Sequence, residues 1–147
     1  MNEFEIVTVI NRPAEDVFAA LNDFDRAPMW NPGLAEVRRT SDGPLGVGST
    51  VVYTGRFLGR SYESPSEYVA YVADETFTSR STSGPFHLEV TSTVAPLDGG
   101  TQLTSHYRGE SRGFFKLAEP VVVRLTRKHF ETAAENLKAL LEADALS

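Results

Sequence analysis

The stretch INRPAEDVFAALNDFDRAPMWNPGL, residues 10–34, leads from the end of a strand through helical segments to a turn. Pro13 suits the first position of a helix because its missing N–H is not needed there. Glu15 and Asp16 follow in the first helical turn, where the helix dipole favours acidic side chains. The apolar spacing of this segment predicts a short helix that ends near residues 22–23.

Trp30 is the only tryptophan of the chain and lies between Pro28 and Pro32. Prolines at these positions disfavour both a long helix and a central strand. A second short helix is therefore predicted over residues 24–30, closed by the turn at residues 31–33. A large apolar side chain in such a turn either packs in a core or lines a cavity.

Strand patterns surround this helical segment on both sides. Residues 4–10 are rich in β-branched side chains and predict a first strand. Turn signals containing glycine, proline or aspartate recur between residues 34 and 110, and they separate runs of strand length. Tight turns between consecutive strands favour an antiparallel meander. The six predicted runs are 35–40, 49–57, 62–72, 76–82, 86–95 and 102–109.

The C-terminal region changes to helical periodicity after Gly113. Pro120 either opens the long helix or kinks it after a turn at residues 114–118. The face predicted to be apolar carries Phe115, Ala118, Val122, Thr126, His129, Ala133, Leu137 and Leu140. The predicted fold class is α+β, with a curved seven-stranded antiparallel sheet wrapped around this helix. A helix about 10–12 Å across does not fill such a concavity, which leaves space for large side chains or a cavity.

Composition excludes several classes of function. The 147 residues, 41% of them hydrophobic, predict one domain over residues 1–147. The net charge of −6 argues against general nucleic-acid binding. The absence of cysteine excludes thiolate metal sites and cysteine nucleophiles. The three histidines show no metal-ligand spacing, so we expect no metal. The glycine-rich segments lie in predicted hairpin turns, so we expect no dinucleotide cofactor.

The apolar runs also bear on localisation. None approaches the roughly 18 residues of a membrane-spanning helix. The acidic start of the chain lacks the features of a signal peptide. We therefore expect a cytoplasmic protein, either a monomer or a homodimer, without an integral membrane segment.

Three segments carry a resemblance to a known family. Residues 10–34 resemble the opening of START-like domains, SGPFHLEVTSTVAPLDGGTQLTSHYRGE resembles their penultimate hairpin, and AENLKALLE resembles the end of their long helix. The resemblance points to the polyketide cyclase/dehydrase and lipid-transport superfamily, SRPBCC, whose helix-grip fold also occurs in pollen allergens. It implies a hydrophobic cavity between the sheet and the long helix. It does not imply one reaction, because members include carriers, cyclases and hydrolase-related domains.

Aromatic residues with a few polar groups fit the usual composition of a ligand pocket. A packed core is the competing explanation for many of them, since they also suit the inner face of a sheet. Strand alternation places Leu103, Ser105 and Tyr107 on the inner face, and His106 and His87 towards solvent. The predicted ligand-binding residues are Trp30, Tyr53, Phe57, Tyr71, Phe77, Phe86, Leu88, Val90, Ser105, Tyr107, Val122, Thr126 and His129.

Candidate catalytic groups are few. His129 lies on the apolar face of the long helix, where it could exchange a proton with a ligand or simply hydrogen-bond to a neighbour. Tyr107 is the second candidate acid or base. Ser105 and His106 are adjacent on a strand and point apart, so they do not form a nucleophile–base pair.

The sequence is compatible with three functions. The first is binding of a small hydrophobic or amphipathic ligand, such as a lipid, a polyketide or an isoprenoid-like compound. The second is a polyketide aromatase/cyclase or dehydratase that uses His129 or Tyr107 as acid or base. The third is a protein-interaction module, for which the basic cluster Arg124, Arg127 and Lys128 could dock an acidic partner. A solvated helix face, with Glu131 one turn further on, is the favoured explanation of the same cluster.

Overall fold

The computed structural model describes residues 2–146, so Met1 and Ser147, the ends of the predicted domain, lie outside the described residues. Its strands are β1 Asn2–Ile10, β2 Leu34–Arg39, β3 Thr50–Phe57, β4 Arg60–Val72, β5 Thr76–Ser81, β6 Phe86–Leu97 and β7 Gly100–Ser111. Its helices are α1 Ala14–Leu21, α2 Ala27–Trp30, α3 Phe114–Leu117 and α4 Glu119–Glu142, with a 3₁₀ turn at Phe24–Arg26.

The strands form one antiparallel sheet in the order β1-β7-β6-β5-β4-β3-β2. This arrangement confirms the predicted seven-stranded sheet with a long C-terminal helix. Pro120 opens α4 rather than kinking it, because it occupies the first helical turn. The predicted helix over residues 24–30 is divided into the 3₁₀ turn and α2, whose first turn contains Pro28.

Pro65 lies inside β4, although proline cannot donate a hydrogen bond to a strand ladder. It pairs with Val52 of β3, and its carbonyl accepts a hydrogen bond from the Thr82 N–H at 2.8 Å. The ladder between β4 and β5 begins one residue later, at Ser66 and Ser81. The missing N–H of Pro65 therefore falls at the end of a ladder, where its loss is tolerated.

The helix α4 lies along β1, one edge of the sheet. Its 24 residues span about 36 Å, enough to run the full length of that strand. At its start, Asn2 Nδ2 donates to Glu119 Oε1 at 2.8 Å. At its end, the Asn11 N–H donates to Glu142 Oε2 at 2.8 Å, and Lys138 Nζ donates to the Val9 carbonyl at 2.6 Å. Both ends of the helix are thus fixed to β1.

The middle of α4 contacts the turn that leads into β2, the opposite edge of the sheet. Asn136 Nδ2 donates to the Trp30 carbonyl at 3.2 Å, and His129 hydrogen-bonds to Asn31. The helix therefore bridges the two edges of the curved sheet. The space between the helix and the middle strands is enclosed as a consequence.

A packed core fills one end of this enclosure, beneath α1. Phe18 of α1 contacts Phe77 edge to face, with ring centroids 5.5 Å apart, and Phe77 stacks on Tyr68 at 5.3 Å. Tyr68 is fully buried, and its hydroxyl donates to Asn22 Oδ1 at 2.6 Å. Val17 and Ile10 complete a densely packed end that holds α1 against the sheet.

Gly55 of β3 is required by a close approach of the backbone. It pairs with Leu34 at the start of β2, beside a bulge in that strand. A Cβ atom at residue 55 would overlap the Gly33 carbonyl oxygen, which already accepts a hydrogen bond from the Arg56 N–H at 3.1 Å. Glycine at this position therefore makes room for the chain that enters β2.

Candidate ligand cavity

A cavity of about 250 Å³ lies between the concave face of the sheet and α4. Twelve of the thirteen residues predicted from sequence to bind a ligand line its wall, although their role in binding stays a prediction. They are Trp30, Tyr53, Phe57, Phe77, Phe86, Leu88, Val90, Ser105, Tyr107, Val122, Thr126 and His129.

Tyr71 is the exception, because it does not line the cavity. Its ring packs edge to face against Phe18, with centroids 5.6 Å apart, and lies 6.4 Å from that of Tyr68. A bulge between Tyr68 and Ala70 interrupts the alternation of β4. The bulge brings Tyr71 to the same side as Tyr68, beneath α1, and places it in the packed end of the enclosure.

Aromatic rings close the opposite end, next to α3. Phe86 contacts Phe57 at 5.8 Å, Tyr62 at 5.1 Å and Phe115 at 4.8 Å between ring centroids. Phe115 of α3 is buried, which explains how this short helix is held over the cavity. Edge-to-face and offset contacts of this kind stabilise an aromatic cluster beyond its buried area.

Tyr107 of β7 is held between two rings on the β1 side of the cavity. Its centroid lies 4.8 Å from that of Phe4 and 4.3 Å from that of Phe130, both stacked. Burial raises the pKa of Tyr107 far above that of a free phenol, and the hydroxyl of Ser105 opposes part of this rise. Near neutral pH the phenol therefore keeps its proton and can donate it to a hydrogen bond.

His129 of α4 is positioned by the turn that follows Trp30. Its Nε2 lies 2.7 Å from Asn31 Oδ1, and Asn31 is buried. Gly33 makes room for the ring, because a Cβ atom there would overlap the imidazole. Burial lowers the pKa of His129 below the ordinary histidine value, so the neutral form is favoured. With Nε2–H donating to Asn31, Nδ1 keeps a lone pair.

The position of Trp30 in the sequence suggested either packing in a core or lining a cavity, and the structure shows both. It is half-buried, packs against the hydrophobic core and also lines the cavity. Within residues 2–146 its buried indole N–H has no hydrogen-bond acceptor. Packing and cavity lining are therefore two properties of one side chain.

Buried serines form the feature that the sequence interpretation missed. Only Ser105 was predicted, yet six further serines, each at least nine-tenths buried, line the cavity. The signal was the alternation Ser64-Pro65-Ser66 and Ser79-Arg80-Ser81, which places each pair on one face of a strand. Polar residues on alternate strand positions are usually assigned to the solvent side. The six are Ser64, Ser66, Ser79, Ser81, Ser92 and Ser111.

The other two histidines lie away from the cavity centre. His106 projects from the opposite face of β7, where its Nε2 is 3.1 Å from Glu3 Oε2. His87 is half-buried at the cavity rim, and its Nδ1 is 3.2 Å from Arg112. It is therefore less exposed than the sequence predicted. Within residues 2–146, no group of three His, Cys, Asp or Glu side chains could hold a metal ion.

The basic cluster of α4 is exposed on the outer surface. Arg124, Arg127 and Lys128 all face solvent, and Arg127 pairs with Glu131 at 3.2 Å, one helical turn away. No described helix is both long and apolar enough to cross a membrane.

Solved structures share this architecture at low sequence identity. A protein of Thermus thermophilus superposes with a TM-score of 0.84 and 18% identity, covering 99% of this chain and 100% of that one. A START superfamily protein from Mycobacterium smegmatis superposes with a TM-score of 0.79 and 19% identity, covering 96% of this chain and 97% of that one. The ZhuI aromatase/cyclase from Streptomyces sp. R1128 superposes with a TM-score of 0.79 and 14% identity, covering 99% of this chain and 96% of that one. These likenesses confirm the helix-grip fold.

Sequence comparison adds the family. No curated protein sequence matches the chain. Residues 1–142 match the family described as polyketide cyclase/dehydrase and lipid transport. Because this match covers nearly the whole sequence, the chain belongs to the polyketide cyclase/dehydrase and lipid transport family.

Proposed function

We propose that this protein binds a small hydrophobic or amphipathic ligand in the cavity between the sheet and α4. The observation that carries the proposal is the cavity itself, which remains open between an aromatic end and a packed core. Its wall combines apolar and aromatic side chains with a few hydroxyls and one imidazole, as ligand pockets do. Membership of a family of cyclases, dehydrases and lipid carriers supports the same role.

The size of the cavity restricts the ligand. A volume of about 250 Å³ lies just below the range of roughly 300–1,000 Å³ typical of ligand pockets. A compound of two or three fused rings, or a short branched chain, suits this space. A long acyl chain would require the aromatic end beside α3 to open.

A dye titration tests the proposal directly. We expect 1-anilinonaphthalene-8-sulfonate to bind saturably with a rise in fluorescence, and Trp30 to report the same event from the cavity wall. Ala134 of α4 lines the cavity, whereas Ala139 of the same helix is exposed. Ala134→Phe should abolish dye binding and Ala139→Phe should retain it. Equal binding by both variants, with both folded, would contradict the proposed location.

Proton transfer is a second candidate function for the same cavity. His129 supports it, because a neutral imidazole with a free Nδ1 lone pair lines the wall and is suited to act as a general base. Tyr107, protonated and buried, would serve as the hydrogen-bond donor to a ligand carbonyl. Together these groups would favour enolisation of a ketone, the step that precedes many cyclisations and dehydrations.

Deuterium exchange at the carbon beside the carbonyl of 1-tetralone, followed by NMR, tests this second candidate. The wild-type protein should accelerate exchange. His129→Gln should remove the acceleration, and Tyr107→Phe should reduce it. An unchanged rate in His129→Gln would exclude His129 as the base.

A further inference from the structure

The two long walls of the cavity differ in chemistry. The α4 wall is mostly apolar and includes Val122, Val123, Phe130, Ala133 and Leu137. The sheet wall carries a serine band, which we define as Ser64, Ser66, Ser79, Ser81, Ser92 and Ser105. The sheet wall therefore adds a band of hydroxyls to its own apolar side chains, such as Phe77 and Val90, whereas the α4 wall has few polar members, among them Thr126 and His129.

The serine band extends over four neighbouring strands and contains two directly opposed serine pairs, which are offset from each other between β5 and β6. Ser66 of β4 lies directly opposite Ser81 of β5, and Ser92 of β6 lies directly opposite Ser105 of β7. Opposed residues on one face have Cβ atoms about 4.5–5.5 Å apart. Such spacing puts neighbouring hydroxyls within reach of adjacent oxygen atoms on a single small molecule.

Part of the band is already used by the protein. Ser81 Oγ accepts a hydrogen bond from the Leu88 N–H at 2.8 Å, and Ser66 Oγ donates weakly to the Ser64 carbonyl at 3.4 Å. The hydroxyls of Ser79 and Ser105 oppose part of the rise in the pKa of Tyr53 and Tyr107, respectively. These contacts hold the band in place and leave other members available.

Ser64 and Ser92 have hydroxyls with no hydrogen-bond partner within residues 2–146. Both are at least nine-tenths buried, and both line the cavity. Because no protein group hydrogen-bonds to these hydroxyls, both are available to a molecule inside the cavity. Leucine or valine at the same positions would have filled the space and offered no hydrogen bond.

We propose that the ligand carries its oxygen atoms along one edge, which faces the serine band, and its hydrocarbon along the other, which faces α4. This inference rests on the proposed ligand-binding function and specifies its ligand class. A fused-ring compound with two hydroxyl or carbonyl groups on the same edge matches both walls. A pure hydrocarbon, or a ring with oxygens on opposite edges, leaves one wall mismatched.

Two isomeric ligands distinguish this arrangement from a general preference of the cavity for polar compounds. The hydroxyls of 2,7-dihydroxynaphthalene lie on the same long edge, whereas those of 2,6-dihydroxynaphthalene lie on opposite edges. Both compounds have the same composition and ring system. Displacement of bound 1-anilinonaphthalene-8-sulfonate should show tighter binding of the 2,7 isomer by about five- to tenfold, the effect of roughly one additional hydrogen bond.

Serine variants test whether the serine band causes the preference for the 2,7 isomer. Ser92→Ala and Ser64→Ala, made separately, should each lower the affinity for the 2,7 isomer and bring the ratio between isomers close to one. Ser83→Ala, at an exposed loop position, should leave the ratio unchanged. Thermal melting of each variant shows that the fold is retained.

The outcomes separate this inference from the function on which it rests. Failure of the dye to bind would overturn the ligand-binding function together with this inference. Dye binding with equal affinity for the two isomers would overturn only the inference. A preference for the 2,7 isomer that survives in both Ser92→Ala and Ser64→Ala would also overturn it.

Discussion

Nε2 of His129 lies 2.7 Å from Oδ1 of Asn31, across a separation of 98 residues in the chain. This hydrogen bond joins the middle of α4 to the turn after Trp30, and so joins the helix to the β2 edge of the sheet. It also orients the imidazole over Gly33 and towards the cavity. One contact therefore serves both the closure of the fold and the geometry of the site.

Removal of the Asn31 amide should weaken this closure. Asn31→Ala deletes the acceptor and leaves the partly buried Nε2–H of His129 without a partner. We expect a loss of about 1–3 kcal/mol in the free energy of unfolding, measured by urea denaturation. Asn11→Ala is the matched control, because Asn11 is exposed and bonds through its backbone N–H. Equal losses in the two variants would contradict a role for the Asn31 side chain.

The stability of the protein should depend on the protonation of His129. Burial lowers the pKa of His129 in the folded state, so below the ordinary value of about 6.5 the unfolded chain binds a proton more readily. Stability should therefore fall as the pH decreases from about 7 through 6.5 towards the lower folded-state pKa.

Comparison with His129→Gln isolates this effect, since the other titrating groups are common to both proteins. The stability difference between wild type and variant, measured by urea denaturation from pH 7.5 to 5, should shift in favour of the variant as the pH falls. A difference that is constant with pH would show that His129 titrates equally in both states.

Gly55 should tolerate no side chain. In Gly55→Ala the new methyl group meets the Gly33 carbonyl oxygen and approaches the Tyr62 hydroxyl at 3.0 Å. Because the first obstacle is backbone, we expect destabilisation of about 1–3 kcal/mol or more. Gly46→Ala is the control, since nothing lies within 4 Å of its Cβ position. Thermal melting should show a clear decrease for Gly55→Ala and little change for Gly46→Ala.

Tyrosine ionisation should be delayed in the folded protein. Burial raises the pKa of Tyr53, Tyr62, Tyr68 and Tyr107 above the ordinary value of 10.0. These phenols contribute stability below that value, and the contribution is lost as the pH rises through their folded-state pKa values. Absorbance near 295 nm should show that most tyrosines ionise only as the protein unfolds. A single transition near pH 10 in the folded state would contradict their burial.

Local sequence signals predicted the elements of the fold correctly. Alternation and turn residues located the seven strands of the sheet, and Pro13 located the start of α1, because these signals act within a few residues. Pro120 left two alternatives, of which the structure shows that it opens α4. Local signals were less reliable where a contact between distant parts of the chain determines which residue is required. The requirement for glycine at position 55, for example, comes from the approach of Gly33, which only the folded chain brings about.

The residues of the cavity were also predicted in part from local signals. Aromatic and apolar periodicity placed twelve residues around it, since a buried face is visible in alternation and helical spacing. Tyr71 lies on the same side as Tyr68 but packs beneath α1, at a position along β4 that alternation does not distinguish from the cavity. The hydrogen bond between Asn31 and His129 could not be predicted either, because only the folded chain brings these residues together.

Hydrophobic periodicity predicted the curved sheet, the long helix across it and the space between them, because the apolar faces of these elements must be buried. The side chains that line this space depend on how the strands align in the folded chain. Serines at alternate strand positions have the same pattern whether they face water or the interior. Their burial on β4–β7 depends on the register of four strands and on the position of α4 above them.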